Sequence, residues 1–232
     1  MDAALLDAVA TGDRKALSRA ISNAETGESV GDVAISQSVI GFTGPPGVGK
    51  STLISALIEQ FRQAGQTVAV LAVDPSSPLT GGAILGDRVR MQSHVGDGGV
   101  FVRSMAARGH LGGLAKAARD AIWLMGHAGY DHLIVETVGV GQSEVEVMNL
   151  ADHVVLVVGP AWGDHIQADK AGIVEIADLF VINKGDRPGV SDVKRALREV
   201  ADARGAEIVV TTATEGQGLG ELIAAIKRLD AR

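Results

Sequence analysis

Eight side chains in this sequence have types and spacing that could do chemistry: Lys50, Ser51, Asp74, Asp87, Glu136, Asn183, Lys184 and Asp186. The first two close the run Gly44-Pro45-Pro46-Gly47-Val48-Gly49-Lys50-Ser51, followed by Thr52. This fits the phosphate-loop pattern G-x-x-x-x-G-K-[ST]. Glycines without Cβ let the backbone come close to an anion, and the loop N–H groups and the start of the next helix point at phosphate oxygens. Lys50 adds a mobile cation for the β- and γ-phosphates, and the Ser51 hydroxyl suits Mg²⁺. An apolar run before the loop and a helical pattern after it supply the context the motif requires.

Three acids stand where such a loop needs them. Glu136 ends the apolar run His132 to Val135, and Gly139 follows three residues later with a backbone N–H for the γ-phosphate. Asp74 ends the run Val70 to Val73, and Asp87 lies in the glycine-rich Gly81 to Arg88. Mg²⁺ takes oxygen ligands and keeps several waters. Ser51, Asp74, Asp87 and Glu136 are therefore the candidate metal set. Lys50 with the same three acids is the candidate catalytic set. Asp87 would also serve as an ordinary helix N-cap.

Asn183-Lys184-Gly185-Asp186 ends another apolar strand in N-K-x-D. A carboxylate at Asp186 can accept from N1–H and the 2-amino group of guanine, whereas adenine offers it a lone pair. A hydrogen bond to a charged group contributes about 1.5–3 kcal/mol, and the mismatch leaves a buried charge unpaired. Asn183 and Lys184 would brace the loops and cover the base. Thr212 and Ala213, after the last strand, sit where a backbone N–H would meet guanine O6. GTP and GDP are thus the expected ligands, with Mg²⁺.

The elements that must hold these residues alternate along the chain. Strands are expected at Ser38–Phe42, Thr67–Val73, Val100–Arg103, His132–Glu136, His153–Val158, Leu179–Asn183 and Glu207–Thr211. Helices are expected at Ser51–Ala64, Asp87–His94, Leu111–His127, Ser143–Leu150, Ile166–Ile176, Val190–Ala203 and Leu219–Leu229. Runs such as Val154-Val155-Leu156-Val157-Val158 are what burial on both faces of a sheet produces. The pattern implies an α/β fold with a mainly parallel sheet between helical layers, its ligands at the carboxyl ends of the strands. Residues 1–32 read as a short, broken helical segment with a polar linker, and 33–232 as the phosphate-loop domain. Arg103 and Arg108 read as solvated surface. Most of the histidines read as surface or strand-edge residues. Trp162, beside His165 in a loop near the nucleotide face, reads either as an exposed contact residue or as partly buried.

Composition narrows the function. The 232 residues are 46% hydrophobic and 21% charged, enough for a sizeable core, which 3% aromatics make an aliphatic one. A net charge of −7 argues against a general nucleic-acid binder. With no cysteine there are no disulfides and no thiolate metal sites. No signal-peptide pattern or membrane-length apolar run stands out, so a soluble, cytoplasmic protein is expected.

The segments G-F-T-G-P-P-G-V-G-K-S-T, L-A-V-D-P-S-S, T-G-G-A-I-L-G-D-R-V-R-M, V-E-T-V-G-V-G-Q-S-E and N-K-G-D, in this order, resemble the MeaB/ArgK-type GTPase chaperones of adenosylcobalamin-dependent acyl-CoA mutases. The resemblance runs from about Ala8 to Asp186. It implies a three-layer P-loop fold of the SIMIBI type, shared with nickel-insertion and signal-recognition GTPases. It also implies phosphate and Mg²⁺ binding at Lys50 and Ser51, with Asp74, Asp87 and Glu136 as the Mg²⁺ and switch carboxylates. The implied role is to bind a mutase and gate its cofactor loading, protection or reactivation. Pro160 to Gln167 is similar to the family's third switch, with Trp162 and His165 departing from its pattern. The chain stops soon after Leu229, so the family's C-terminal dimerisation arm is expected to be absent and the usual homodimer is open. Rival readings are a nickel-enzyme maturation GTPase, a protein or amino-acid kinase, and a partitioning-type ATPase at a membrane. Neither nucleic acid nor a membrane is expected as a partner.

Overall fold

The computed structural model describes residues 1–30, 35–74, 94, 96–106, 111–137, 145, 147–165 and 171–231. Asp87, Arg108, Gly139, Gln167 and Lys170 lie outside them, as do most of the helix expected at 87–94 and the start of the one expected at 166–176. Nothing is described of the side chains of Asp74, Asp164 and His165.

The strands are β1 (Val39–Thr43), β2 (Val68–Asp74), β3 (Val100–Ala106), β4 (His132–Thr137), β5 (His153–Val158), β6 (Leu179–Asn183) and β7 (Glu207–Thr211). They form one sheet in the order β3-β2-β4-β1-β5-β6-β7, and every pairing is parallel. β1 lies in the middle, with Gly41 opposite Val135 of β4 and Val154 of β5. The chain winds from β1 towards β3 on one side and from β5 towards β7 on the other. Its point of reversal, where such sheets open a ligand crevice, is at the carboxyl end of β1.

Among the described residues the helices that flank the sheet are α3 (Lys50–Gln63), α4 (Leu111–His127), α5 (Ala171–Ile176), α6 (Val190–Arg204) and, after the last strand, α7 (Leu219–Asp230). Alternation along each strand sends successive side chains to opposite layers. Val39, Leu133 and Val135 join the core under α4, whereas Ile40, Phe42 and Ile134 join the core under α3 and α7. A third core sets Leu156, Val158, Phe180 and Ile182 against α5 and α6.

Two further helices, α1 (Ala3–Ala10) and α2 (Arg14–Glu25), form a hairpin whose starts are capped by Asp2 and Asp13. Asp13 accepts from the Lys15 and Ala16 backbone N–H groups at 2.8 and 3.2 Å. The hairpin buries Leu5, Val9, Leu17 and Ile21 in the same core as α4, so it is packed into the sheet's helical layer. Arg103 on β3 is not solvated surface, as its charge suggests in sequence. It donates to Glu25 Oε2 at 2.7 Å and to Ser22 Oγ at 3.0 Å, tying the hairpin to the sheet. Docking of α2 over β3 covers the guanidinium, and the carboxylate compensates it.

Trp162, for which the sequence leaves a contact role and burial equally open, is buried. Residues Pro160–His165 form a 3₁₀ helix, and the Trp162 backbone N–H donates to Gly159 O at 3.0 Å. This turn folds the indole into the core shared with Ile173, Phe180 and Val193, leaving it 5% exposed. Among the histidines, His132 is partly buried and stacks on Phe61 with centroids 3.8 Å apart. Burial holds its imidazole below the usual value. His94 is buried, with Nε2 at 2.8 Å from Ser55 Oγ on α3.

Candidate functional site

The carboxyl ends of β1, β4, β6 and β7 bring together the loops that carry the candidate residues. Gly44 leaves β1 at φ 137°, and a Cβ there would run into the carbonyl oxygen of Val157. Gly49 turns at φ 95° directly before α3, where a Cβ would stand 2.6 Å from Asn183 Nδ2. Both positions therefore require glycine on conformational and steric grounds. The following helix begins at Lys50 and directs its positive end at the loop.

Lys50 is buried, and its Nζ donates to Gly44 O at 2.6 Å and Pro45 O at 3.2 Å. The ammonium is thus held over the loop by the loop's own carbonyls. Ser51 is buried beside it and donates from Oγ to Glu136 Oε1 at 2.7 Å. Parallel register makes this possible, since Glu136 pairs with Phe42 on β1, close to where the loop leaves that strand. Next to it, Thr137 Oγ1 donates to Thr43 Oγ1 at 3.2 Å, joining the ends of β4 and β1. Asp74 ends β2 opposite Ala106 of β3, at the same edge of the sheet.

Asn183 braces the second half of the site. Its Nδ2 donates to Val48 O at 2.9 Å, while its Oδ1 accepts from Thr211 Oγ1 at 3.1 Å and from the Ala213 N–H at 3.2 Å. One side chain thereby fixes the phosphate loop, the end of β6 and the loop after β7. The Ala213 N–H, expected to meet guanine O6, is given to Asn183 in this arrangement. Lys184 adopts φ 63° and donates from Nζ to Gly47 O at 2.6 Å. Its stem therefore lies across the loop.

These contacts leave a cavity of about 110 Å³ lined by Gly49, Thr52, Asn183, Asp186, Thr212 and Ala213 among others. Thr214, from the same loop as Thr212 and Ala213, also lines it, as does Arg187, which sequence reasoning missed. The one signal for Arg187 is adjacency to the N-K-x-D motif. Beside it runs a larger, mainly apolar groove of about 510 Å³, walled by Pro45, Pro46, Val48, Pro160, Trp162 and Pro188. Among the described residues no helix is long and apolar enough to cross a membrane.

A parallel sheet reversing at β1, with a phosphate loop at that point and an N-K-x-D pocket two strands away, defines the P-loop GTPases of the SIMIBI type. The chain matches a signal-recognition particle 54 kDa protein from Aeropyrum pernix in complex with GDP over 97% of its length (TM-score 0.56, 16% identity, 65% of that chain), a likeness of fold alone. The chain belongs to the MeaB family: residues 18–231 match the model described as methylmalonyl Co-A mutase-associated GTPase MeaB. A curated relative from Pyrococcus horikoshii, named as a GTPase, is 47% identical over 96% of this chain and 76% of its own. A crystal structure described as a LAO/AO transport system kinase aligns over all of this chain and 76% of its own, with TM-score 0.75 and 28% identity. The chain is accordingly a GTP-hydrolysing enzyme that binds guanine nucleotides.

Proposed function

We propose that this GTPase binds an adenosylcobalamin-dependent acyl-CoA mutase and uses GTP hydrolysis to gate its cofactor loading, protection or reactivation. The observation that carries the reading is the family match over 18–231, whose description names a mutase-associated GTPase. In this reading Lys50 and the backbone N–H groups of Gly44 and of Gly47 to Thr52 hold the phosphates. Asp186 reads the base edge, with Asn183, Lys184, Thr212 and Ala213 supporting it. Gly139 offers its N–H to the γ-phosphate.

The residues present fit Mg²⁺. Ser51 and Glu136 put buried oxygens 2.7 Å apart beside the phosphate loop. A hydroxyl whose proton is held by a carboxylate presents its lone pairs to a cation. Ser51 would hold the ion directly, Glu136 would hold that proton or a bound water, and Asp74 and Asp87 would complete the acidic shell. Bound there, Mg²⁺ would neutralise charge on the phosphate oxygens.

Turnover without a partner is expected at about 10⁻³–10⁻¹ s⁻¹, as positioning without an arginine finger gives slow hydrolysis. Purified mutase should change that rate and bind with different affinity when GDP replaces a GTP analogue; no difference in either would overturn the partner assignment. For the base, calorimetry should show strong preference for GDP over ADP. Asp186→Asn should lose about 10- to 100-fold in GDP affinity and gain for xanthosine diphosphate, whose C2 carbonyl accepts from an amide. Similarity to the structure described as a transport system kinase favours a second reading, phosphoryl transfer to a protein or amino acid. Labelled γ-phosphate released to solution, with none on an acceptor, would set that reading aside.

A further inference from the structure

We propose that Arg187 closes one face of the guanine pocket, its guanidinium plane stacking on the base that Asp186 reads at the edge. The inference rests on the guanine reading above and adds a contact that reading does not contain.

Edge recognition leaves the two faces of a purine to be covered. Lys184 and Arg187 are the residues common to the 110 Å³ cavity and the 510 Å³ groove, so they form the wall between them. Lys184, expected to cover the base with its stem, has its ammonium held on Gly47 O at 2.6 Å, so one side chain cannot close both faces. Arg187 has no such tether. Arg62, Arg103 and Arg228 are held by Asp97, Glu25 and Glu207, whereas Arg187 joins no ion pair among the described residues.

The backbone beneath Arg187 is fixed. Its N–H donates to Lys184 O at 3.1 Å, closing a turn around Asp186. Pro188 follows and disfavours helical geometry at Arg187. The Cα is therefore locked beside the base-reading carboxylate while the side chain is exposed. A guanidinium is planar and weakly hydrated, and it stacks on aromatic faces more readily than an ammonium. The open groove leaves the outer side of the cation in water, so stacking does not require full desolvation.

The test uses the full chain with Mg²⁺ and compares wild type, Arg187→Ala and Arg187→Lys. Calorimetry is run with GDP and with inorganic tripolyphosphate, a probe without a base. Stacking of a base on such a side chain corresponds to roughly a 10-fold change in affinity. Arg187→Ala should weaken GDP by about that factor and leave tripolyphosphate unchanged. Arg187→Lys, which keeps the charge and loses the plane, should recover less than half of the loss. Single-turnover hydrolysis of bound GTP should be unchanged, with the effect confined to KM, and the melting temperature without nucleotide should hold. GDP affinity within twofold of wild type in Arg187→Ala would overturn the proposal. So would equal weakening of tripolyphosphate, or full recovery in Arg187→Lys, since either marks a general charge effect. Failure of the guanine reading itself is separate: wild type would then bind ADP as well as GDP.

Discussion

The two ends of the sheet use the same residue types for opposite purposes. At the amino ends, Asp152 accepts from the Val39 N–H and Asp178 from the Val154 N–H, each at 2.8 Å. Asp131 accepts from the Thr67 N–H at 2.7 Å and its hydroxyl at 2.8 Å. Each carboxylate completes the backbone of a neighbouring strand, which would otherwise begin with an unpaired donor. At the carboxyl ends, Glu136 accepts instead from the hydroxyl of Ser51, beside the phosphate loop. Asp186 lines a cavity. Carboxylates at one end close the fold upon itself, and those at the other sit where a ligand would meet them. A strand-end acid is therefore informative about function only once its end of the sheet is known.

This contrast can be broken at either end. The largest effect is expected at the carboxyl end. Lys50→Ala removes the cation held over the phosphate loop and should weaken GDP binding by about 100-fold or more, as hydrogen bonds from a charged donor contribute about 1.5–3 kcal/mol each. Calorimetry checks this, and the melting temperature without nucleotide should fall by no more than a few degrees. A smaller effect of opposite kind is expected from Asp152→Ala. It leaves the Val39 N–H without its acceptor and should cost about 1–3 kcal/mol of stability, measured by denaturant unfolding, with GDP affinity unchanged. Lost affinity there would mean that the two ends are not independent.

The smallest effect is a pH dependence. Hydrogen bonds from the Thr67 backbone and then its hydroxyl hold the Asp131 carboxyl below its ordinary value. A depressed carboxyl contributes stability above its unfolded pKa and loses it as pH falls through the folded one. Wild type should therefore lose this contribution below about pH 4. Asp131→Asn should show a shallower fall in melting temperature over that window, and an identical slope would remove Asp131 from the account.

Much of the fold was legible because its signals are local. β5, β6 and β7 lie where their continuous apolar runs placed them, and α4 spans Leu111–His127 as its periodicity required. The phosphate loop declared its own turn through glycine. Other features were not legible, for reasons specific to each. Pro160 to His165 has neither strand nor helix periodicity, so nothing local says that Trp162 turns inward; packing against α5 and α6 decides it. Arg103 and Glu25 are 78 residues apart, and their pairing exists only because α2 docks over β3. Arg187 was overlooked because its neighbours carried the motif and it did not.

By itself the sequence determined the chemistry available to this protein: a phosphate-loop motif, an N-K-x-D acid, and strand-end acids in an alternating α/β chain. It could do so because glycine requirements, apolar runs and short motifs act within a few residues of one another. The tertiary structure decided which of those groups meet. Parallel register set Glu136 against Ser51, and Asn183 joined three loops from distant parts of the chain. The winding reversal at β1 gathered them at one edge of the sheet. Contacts of that kind depend on strand order and on helix docking, which long-range packing fixes and local sequence does not encode.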